Sequence, residues 1–143
     1  MKRMMMAAFL ALAPVAGWAE GIVHKIAVHV DDGDPRVLHM ALNNVQNMAS
    51  YYKSQGDTVQ VEVVAYGPGL VMFLDGKSPV SDRISTMSLE LEGLTFSACG
   101  NTLRKMSEKA GHDVALMDEA VVVPSGVVRL VELQEQGYAY VRP

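Results

Sequence analysis

Five short β-type runs alternate along the chain with four segments of helical periodicity, and this alternation constrains the fold more than any other feature. The β-type runs, rich in Val and Ile, cover residues 26–30, 59–65, 94–98, 121–123 and 138–141. The helical segments, in which apolar residues recur three or four positions apart, cover residues 35–54, 79–92, 100–109 and 124–136. Strands separated by helices indicate a mostly parallel sheet, because each connection is long enough for a crossover. We therefore expect an α/β fold, a three-layer α/β/α sandwich with about five mostly parallel strands.

Capping residues mark the predicted helix starts. Asp34 followed by Pro35 is typical of an N-cap and the first helical residue. Ser78 followed by Pro79 predicts a second helix start by the same logic. Residues 70–74 are apolar, and their pattern is compatible with either a short helix or a packed loop.

The amino-terminal segment has the composition of a secretory signal peptide. Lys2 and Arg3 form a short basic start, and residues 4–16 are apolar and uncharged. Gly17 and Ala19 then place small residues at the −3 and −1 positions of a cleavage site. The apolar run is too short to span a bilayer, which requires about 20 residues. An uncleaved anchor or a buried amino-terminal helix is the alternative interpretation.

Cleavage at this site divides the chain into a signal peptide over residues 1–19 and a single domain over residues 20–143, which we expect to be periplasmic. The whole chain is 50% hydrophobic and 20% charged, which is ordinary for a globular domain. Cleavage leaves 10 of the 12 basic residues against 16 acidic ones, a net charge of −6. Without a run of Lys or Arg, we expect neither nucleic acid nor an acidic membrane surface as a partner.

Cys99 is the only cysteine of the chain, so no internal disulfide is possible. Composition alone favours a buried, inert thiol, since free cysteine is among the most buried residue types. Its position favours a different interpretation. Cys99 follows the third predicted strand and precedes a predicted helix, and ligands of open α/β sheets bind at the carboxyl ends of the strands. A helix N-terminus also stabilises a thiolate, so Cys99 is the candidate catalytic residue.

Other turns follow predicted strands and should share the same rim of the sheet. Gly67 and Gly69 come after the second strand, and Gly100 and Asn101 directly follow the cysteine. Ser125 comes after the fourth strand. We predict these five residues as ligand-binding or anion-binding positions, because small residues and helix starts expose backbone N–H groups to an anion.

Several established cysteine chemistries do not fit the sequence. A thioredoxin-type site needs a second cysteine, and a phosphatase-type loop needs Arg where this chain has Lys105. A cysteine protease needs a histidine partner. No histidine falls predictably on the rim, so we interpret all four as surface or internally bonded residues: His24, His29, His39 and His112.

The acidic cluster after the first strand contains Asp31, Asp32 and Asp34. Aspartate is common in turns and at helix caps, so we interpret these carboxylates as turn and cap residues. We therefore expect neither a metal site nor a cofactor.

Several short motifs, in this order and spacing, resemble those of the DsrE/DsrF-like proteins, which have the YchN-like fold. The resemblance extends over residues 25–143, and its motifs cover residues 34–35, 42–44, 63–69, 98–103, 123–127 and 137–143. It implies a homo-oligomer, a trimer or a hexamer, and a cysteine after the third strand that carries sulfur as a persulfide. Cys99 matches that position. The resemblance also implies a thiol or persulfide donor or acceptor protein, although relatives that act in the cytoplasm lack the export signal predicted for this chain.

Two hypotheses of different classes follow. In the first, the protein is a periplasmic persulfide carrier in a sulfur relay, and backbone N–H groups at Gly100 and Asn101 stabilise the anion on Cys99. In the second, it is a non-catalytic oligomeric module that binds a small ligand. Cys99 would then be structural, and residues 70–74, including Phe73, would form an interface.

Overall fold

The computed structural model describes residues 21–143, so the predicted signal peptide lies outside the described residues. The strands are β1 (Val23–Val30), β2 (Thr58–Ala65), β3 (Leu94–Cys99), β4 (Ala120–Val123) and β5 (Ala139–Val141). The helices are α1 (Pro35–Ser54), α2 (Ser81–Glu90), α3 (Gly100–Ala110) and α4 (Gly126–Glu135), with one 3₁₀ helix (Gly67–Phe73). Within the described part, no helix combines the length and apolar character that crossing a membrane requires.

The five strands form one sheet in the order β4-β3-β2-β1-β5, and every neighbouring pair is parallel. The predicted α/β fold with a parallel sheet is therefore confirmed. All carboxyl ends of the strands lie at one rim, where Cys99 pairs in register with Val123 of β4.

The helices are divided unequally between the two faces of the sheet. The three connections from β1 to β4 all step in the same direction, whereas the connection from β4 to β5 returns across the sheet. Parallel crossovers are right-handed, so a reversal of direction places the connection on the opposite face. The larger apolar cluster accordingly contains residues of α1, α2, α3 and the 3₁₀ helix. A smaller cluster on the other face contains Leu130 and Leu133 of α4.

The two faces also differ in polarity. On the larger face, Val28 and Val63 are fully buried among aliphatic side chains. On the α4 face, the strands place three buried polar residues: His29, Glu62 and Ser97. Buried polar groups need hydrogen-bond partners, so this face carries the polar networks described below.

Two local expectations differ from the structure. The helix predicted to begin at Pro79, with Ser78 as its N-cap, begins at Ser81. The Ser78 hydroxyl donates to the Met72 carbonyl and accepts from the Val80 N–H, which forms a separate turn. Residues 70–74 end the 3₁₀ helix, and Phe73 is fully buried in the larger core. The idea that this segment forms an interface is therefore wrong, since its apolar side chains are used within the chain.

Candidate functional site

Cys99 is the last residue of β3 and the N-cap of α3. Its backbone is extended, with φ of −66° and ψ of 114°, so the chain turns into the helix directly after the thiol. Side chains alternate along β3, and Ala98 belongs to the larger core. Cys99 therefore points to the α4 face. The residue is 4% exposed, which makes the site a nearly closed one.

Nearby hydroxyl and backbone N–H groups influence the pKa of the Cys99 thiol. Burial by itself raises the pKa of the Cys99 thiol, but the donors outweigh it and the pKa lies below the ordinary value. They are the Thr102 hydroxyl and the backbone N–H groups of Gly126, Thr102 and Asn101. Asn101 and Thr102 belong to the first turn of α3, and Gly126 is the first residue of α4. The amino termini of two helices thus stabilise the same thiolate.

A hydrogen bond from the 3₁₀ helix orients the Thr102 hydroxyl. The Gly67 N–H donates to Thr102 Oγ1 over 3.0 Å. An oxygen that accepts this bond keeps its own proton for another partner, and the Thr102 hydroxyl is among the groups that lower the pKa of the Cys99 thiol. Gly67, predicted from the sequence as an anion-binding residue, therefore acts on the thiol through Thr102.

Two glycines let α4 and β4 approach the site closely. A Cβ added to Gly126 would lie 3.2 Å from the Cβ of Cys99 and 3.0 Å from Cδ1 of Tyr66. A Cβ added to Gly100 would lie 3.0 Å from the Val123 carbonyl oxygen. A larger residue at either position would push the helix start away from its neighbours.

The remaining predicted residues contribute unequally. Asn101 contributes its backbone N–H, and its side chain is exposed. Ser125 is the N-cap of α4, where its side chain makes no capping hydrogen bond and its carbonyl accepts from the Arg129 N–H over 2.9 Å. Gly69 is buried, and an added Cβ would lie 2.3 Å from the Val30 carbonyl oxygen. Contact with β1, rather than with the thiol, explains that glycine.

An ion pair between a buried carboxylate, Glu62, and a partly exposed guanidinium, Arg129, joins α4 to the centre of the sheet. Arg129 donates from Nε to Glu62 Oε1 over 2.7 Å and from Nη2 to Oε2 over 2.8 Å. The Ser97 hydroxyl also donates to Glu62 Oε1, over 2.6 Å. Burial opposes ionisation of Glu62, but the bonds from Arg129 and Ser97 hold the pKa of this carboxyl below its ordinary value. Both groups are therefore charged at neutral pH.

A row of polar side chains extends along the rim from Tyr66 to β5. The His29 ring stacks on Tyr66 with 4.8 Å between centroids, and its Nδ1 shares a 2.6 Å hydrogen bond with the Tyr140 hydroxyl. Arg142 binds Asp31 through contacts of 2.9 Å to both carboxylate oxygens. His29 Nε2 lies 3.7 Å from Asp31 Oδ2 and, among residues 21–143, has no hydrogen-bond partner.

The sequence did not identify His29 as a site residue, because a polar residue in a strand fits the usual alternation of buried and exposed positions. Burial, which outweighs the attraction of Asp31, lowers the pKa of His29, so the imidazole is neutral at pH 7. His29 lies near the rim, where the sequence alone did not place it, and its bond to Tyr140 agrees with the interpretation of an internally bonded histidine. The turn and cap interpretation of the acidic cluster agrees with the structure for Asp32, which accepts from the Asp34 N–H, and for Asp34, the N-cap of α1. Asp31 instead pairs with Arg142.

Two further features bear on ligands. A shallow open groove of about 670 Å³ runs beside α3, where Leu103, Arg104, Ser107 and Val122 contribute to its lining; Cys99 does not line it. Within residues 21–143, the His, Cys, Asp and Glu side chains form no group that would hold a metal ion.

Comparison with known proteins finds a solved structure that is similar to this chain in sequence and in fold. The solved structure of MTH1491, a protein of unknown function from Methanobacterium thermoautotrophicum, superimposes with a TM-score of 0.69. The two chains are 32% identical, and the match covers 84% of this chain and 99% of the other. Neither a protein-family model nor a curated protein matches the sequence.

Proposed function

We propose that this chain, which belongs to the same family as MTH1491 from Methanobacterium thermoautotrophicum, is a periplasmic sulfur-handling protein that carries sulfur as a persulfide on Cys99. The observation that supports the proposal most directly is the convergence of two helix amino termini on a lone thiol. Assignment of the family to the DsrE/DsrF-like proteins is part of the proposal and rests on the motifs given above.

The proposed reaction moves one sulfur atom in two displacement steps. The Cys99 thiolate attacks the outer sulfur of a donor persulfide or thiosulfate and forms a new S–S bond. The S–S bond of the donor breaks, and its thiolate, or sulfite, leaves with the electron pair. An acceptor thiolate then attacks the outer sulfur of the persulfide. The S–S bond to Cys99 breaks, and Cys99 leaves as a thiolate. Because sulfane sulfur is only transferred, the two steps together need no external oxidant or reductant.

The N–H and hydroxyl groups near Cys99 can stabilise both anionic forms of this residue in the proposed cycle, the thiolate and the persulfide. The thiolate that attacks the donor and the terminal sulfur of a persulfide are anions, and N–H groups at a helix start stabilise anions. The Thr102 hydroxyl adds a donor that rotates to follow the charge. Since only 4% of Cys99 is exposed, we expect small donors such as thiosulfate to react faster than bulky ones.

An exposed apolar patch supports the expected homo-oligomer, a trimer or a hexamer. On α4, Val127, Val128 and Val131 are 56%, 52% and 50% exposed, and Val121 of β4 is 57% exposed. All four side chains are apolar and at least half exposed, and large exposed apolar patches mark interaction surfaces. We propose that a second copy of this chain covers this valine patch, because burial against another copy would remove these apolar side chains from water.

Intact-mass spectrometry of the purified protein after incubation with thiosulfate or polysulfide tests the persulfide. We expect wild type to gain the mass of one sulfur atom, an adduct that dithiothreitol removes. The matched control is Cys99→Ser, which keeps the size of the side chain but lacks the nucleophile. Absence of the adduct on wild type, or an equal adduct on the control, contradicts the proposal.

The periplasmic location has a separate test. Expression of the full chain followed by cell fractionation and amino-terminal sequencing should recover a protein that begins at Glu20. A protein that keeps Met1 and stays in the cytoplasm would rule out export.

A non-catalytic ligand-binding module is the second candidate function, which the near-complete burial of Cys99 and the groove beside α3 favour. Alkylation of the native protein by iodoacetamide distinguishes the two. A carrier thiol should react at pH 7, whereas a structural thiol should react only after unfolding.

A further inference from the structure

α4 has few apolar anchors although it covers a whole face of the sheet. Within residues 21–143 it is the only helix on that face, and its buried apolar side chains are Leu130 and Leu133. Both lie beyond the first turn of the helix. The first turn, which carries the Gly126 N–H, is therefore held by other contacts.

The ion pair between Glu62 and Arg129 lies where such a contact is needed. Arg129 follows Gly126 by three residues, so its side chain leaves the helix within the first turn. Its own N–H donates to the Ser125 carbonyl over 2.9 Å, which closes that turn. The two guanidinium bonds of 2.7 and 2.8 Å restrict both the distance and the rotation of the turn relative to β2.

We propose that Glu62 and Arg129 are positioning residues that hold the first turn of α4, and with it the Gly126 N–H, against the Cys99 sulfur. This inference rests on the proposed function of Cys99. Buried ion pairs add little net stability, because desolvation offsets their attraction, so stability alone is a weak reason for the pair. In contrast, the paired bonds from Arg129 to Glu62 fix the same turn of α4 that contacts Cys99.

The contact that the pair maintains leaves little room for displacement. Gly126 lies between Cys99 and Tyr66, and the space around its Cα would not accept a Cβ without a shift. A bond from a helix N–H weakens steeply when its angle or distance changes. A small rotation of the first turn would therefore remove one of the donors that stabilise the thiolate.

Two explanations for an effect of the Glu62–Arg129 pair on the thiol predict pKa shifts of opposite sign for the Glu62→Gln substitution. If the charges act only through space, Glu62→Gln removes a negative charge and lowers the thiol pKa, whereas Arg129→Gln raises it. If the pair acts by holding the helix, both substitutions loosen the same turn and both raise the thiol pKa. The direction of the Glu62→Gln shift therefore decides between them. Tyr66 is the titratable side chain in contact with the same turn, and every variant retains it.

The experiment measures the pH dependence of Cys99 alkylation by iodoacetamide in the folded protein, without any sulfur donor. We expect Glu62→Gln and Arg129→Gln each to raise the thiol pKa by about one unit, a roughly tenfold loss of thiolate below the pKa. The matched control is Glu132→Gln, which removes a 3.4 Å contact from the exposed side of the same guanidinium. The control should titrate like wild type. Arg129→Lys, which keeps the charge but not the paired bonds, should show a smaller rise.

A fall or no change in the pKa of Glu62→Gln, or an equal rise in the Glu132→Gln control, overturns the positioning role. Circular dichroism verifies that each variant is folded. If Arg129→Gln does not fold, Glu62→Gln and Arg129→Lys still decide the sign, and in wild type the Gly126 amide resonance should shift with the Cys99 titration. Failure of the sulfur adduct on wild type refutes the persulfide proposal alone, since the alkylation assay uses no sulfur donor.

Discussion

Replacement of Thr102 by Val tests how the Cys99 thiol is activated. Thr102 Oγ1 accepts from the Gly67 N–H over 3.0 Å, and hydrogen bonding by the Thr102 hydroxyl lowers the pKa of the Cys99 thiol. Valine has the same shape and a similar helix propensity, so the substitution removes the hydroxyl and little else. A hydrogen bond to a charged group contributes about 1.5–3 kcal/mol, and partial exposure of Thr102 argues for the lower end. At about 1.4 kcal/mol per unit, the thiol pKa should rise by about one unit.

The same substitution leaves the Gly67 N–H without its partner. This group is partly buried, so its loss should lower the free energy of unfolding by about 1 kcal/mol. The assay combines the pH profile of iodoacetamide alkylation with urea denaturation. Thr102→Ser is the control, because it restores the hydroxyl without the methyl group, and it should recover most of both effects. If Thr102→Val titrates like wild type, or if the Ser variant titrates like the Val variant, the hydroxyl does not activate the thiol.

Three further predictions concern stability and assembly. Tyr140→Phe removes the partner of the buried His29 Nδ1 and should lower the free energy of unfolding by about 1–3 kcal/mol in urea denaturation at pH 7; an unchanged midpoint would show that water replaces the bond. Val131→Glu places a charge in the valine patch and should convert the oligomer to a monomer in sedimentation velocity. The control is Lys109→Glu, at a charged and exposed position of another helix. Equal mass for wild type and Val131→Glu would exclude this interface. Because the folded-state pKa of the Cys99 thiol is lowered, its stabilisation is fully present above the unfolded pKa of about 8.5 and is lost as pH falls through the folded pKa. Wild type should therefore gain stability relative to Cys99→Ser as pH rises from below the folded-state pKa to the unfolded-state value of about 8.5, and parallel pH curves would contradict the lowered pKa.

The position of Cys99 could be predicted because it depends on local patterns. A β-type run ends at Ala98, and helical periodicity begins within a few residues, so the thiol had to lie at a strand-to-helix junction. Parallel strands share one rim, which was enough to place Gly100 and Asn101 beside it. The start of α2 was misplaced because Ser78 and Pro79 resemble a helix start, while the chain uses the serine in a separate turn.

The partners of the thiol could not be predicted in the same way, because they depend on strand order. Thr102 is an ordinary residue of a helix, and only contact with the Gly67 N–H directs its hydroxyl. Glu62 alternates with valines in β2, so its sequence pattern is that of a solvent-facing position, although α4 covers it. His29 is hidden for the same reason in β1. The sequence alone does not indicate that α4 covers this face of the sheet, so the burial of Glu62 and His29 could not be predicted.

Strand order also explains why two helix amino termini meet at one sulfur. α3 begins directly after β3, and α4 begins directly after β4, its neighbour in the sheet. Both starts therefore lie at the same rim, one strand apart. The connection through α4 reverses direction, which places it on the face opposite α3, so the end of β3 lies between the two starts. The residue at that end, Cys99, receives N–H groups from both sides as a consequence of topology, and Gly126 is required there because the second helix start must come within contact distance of the first.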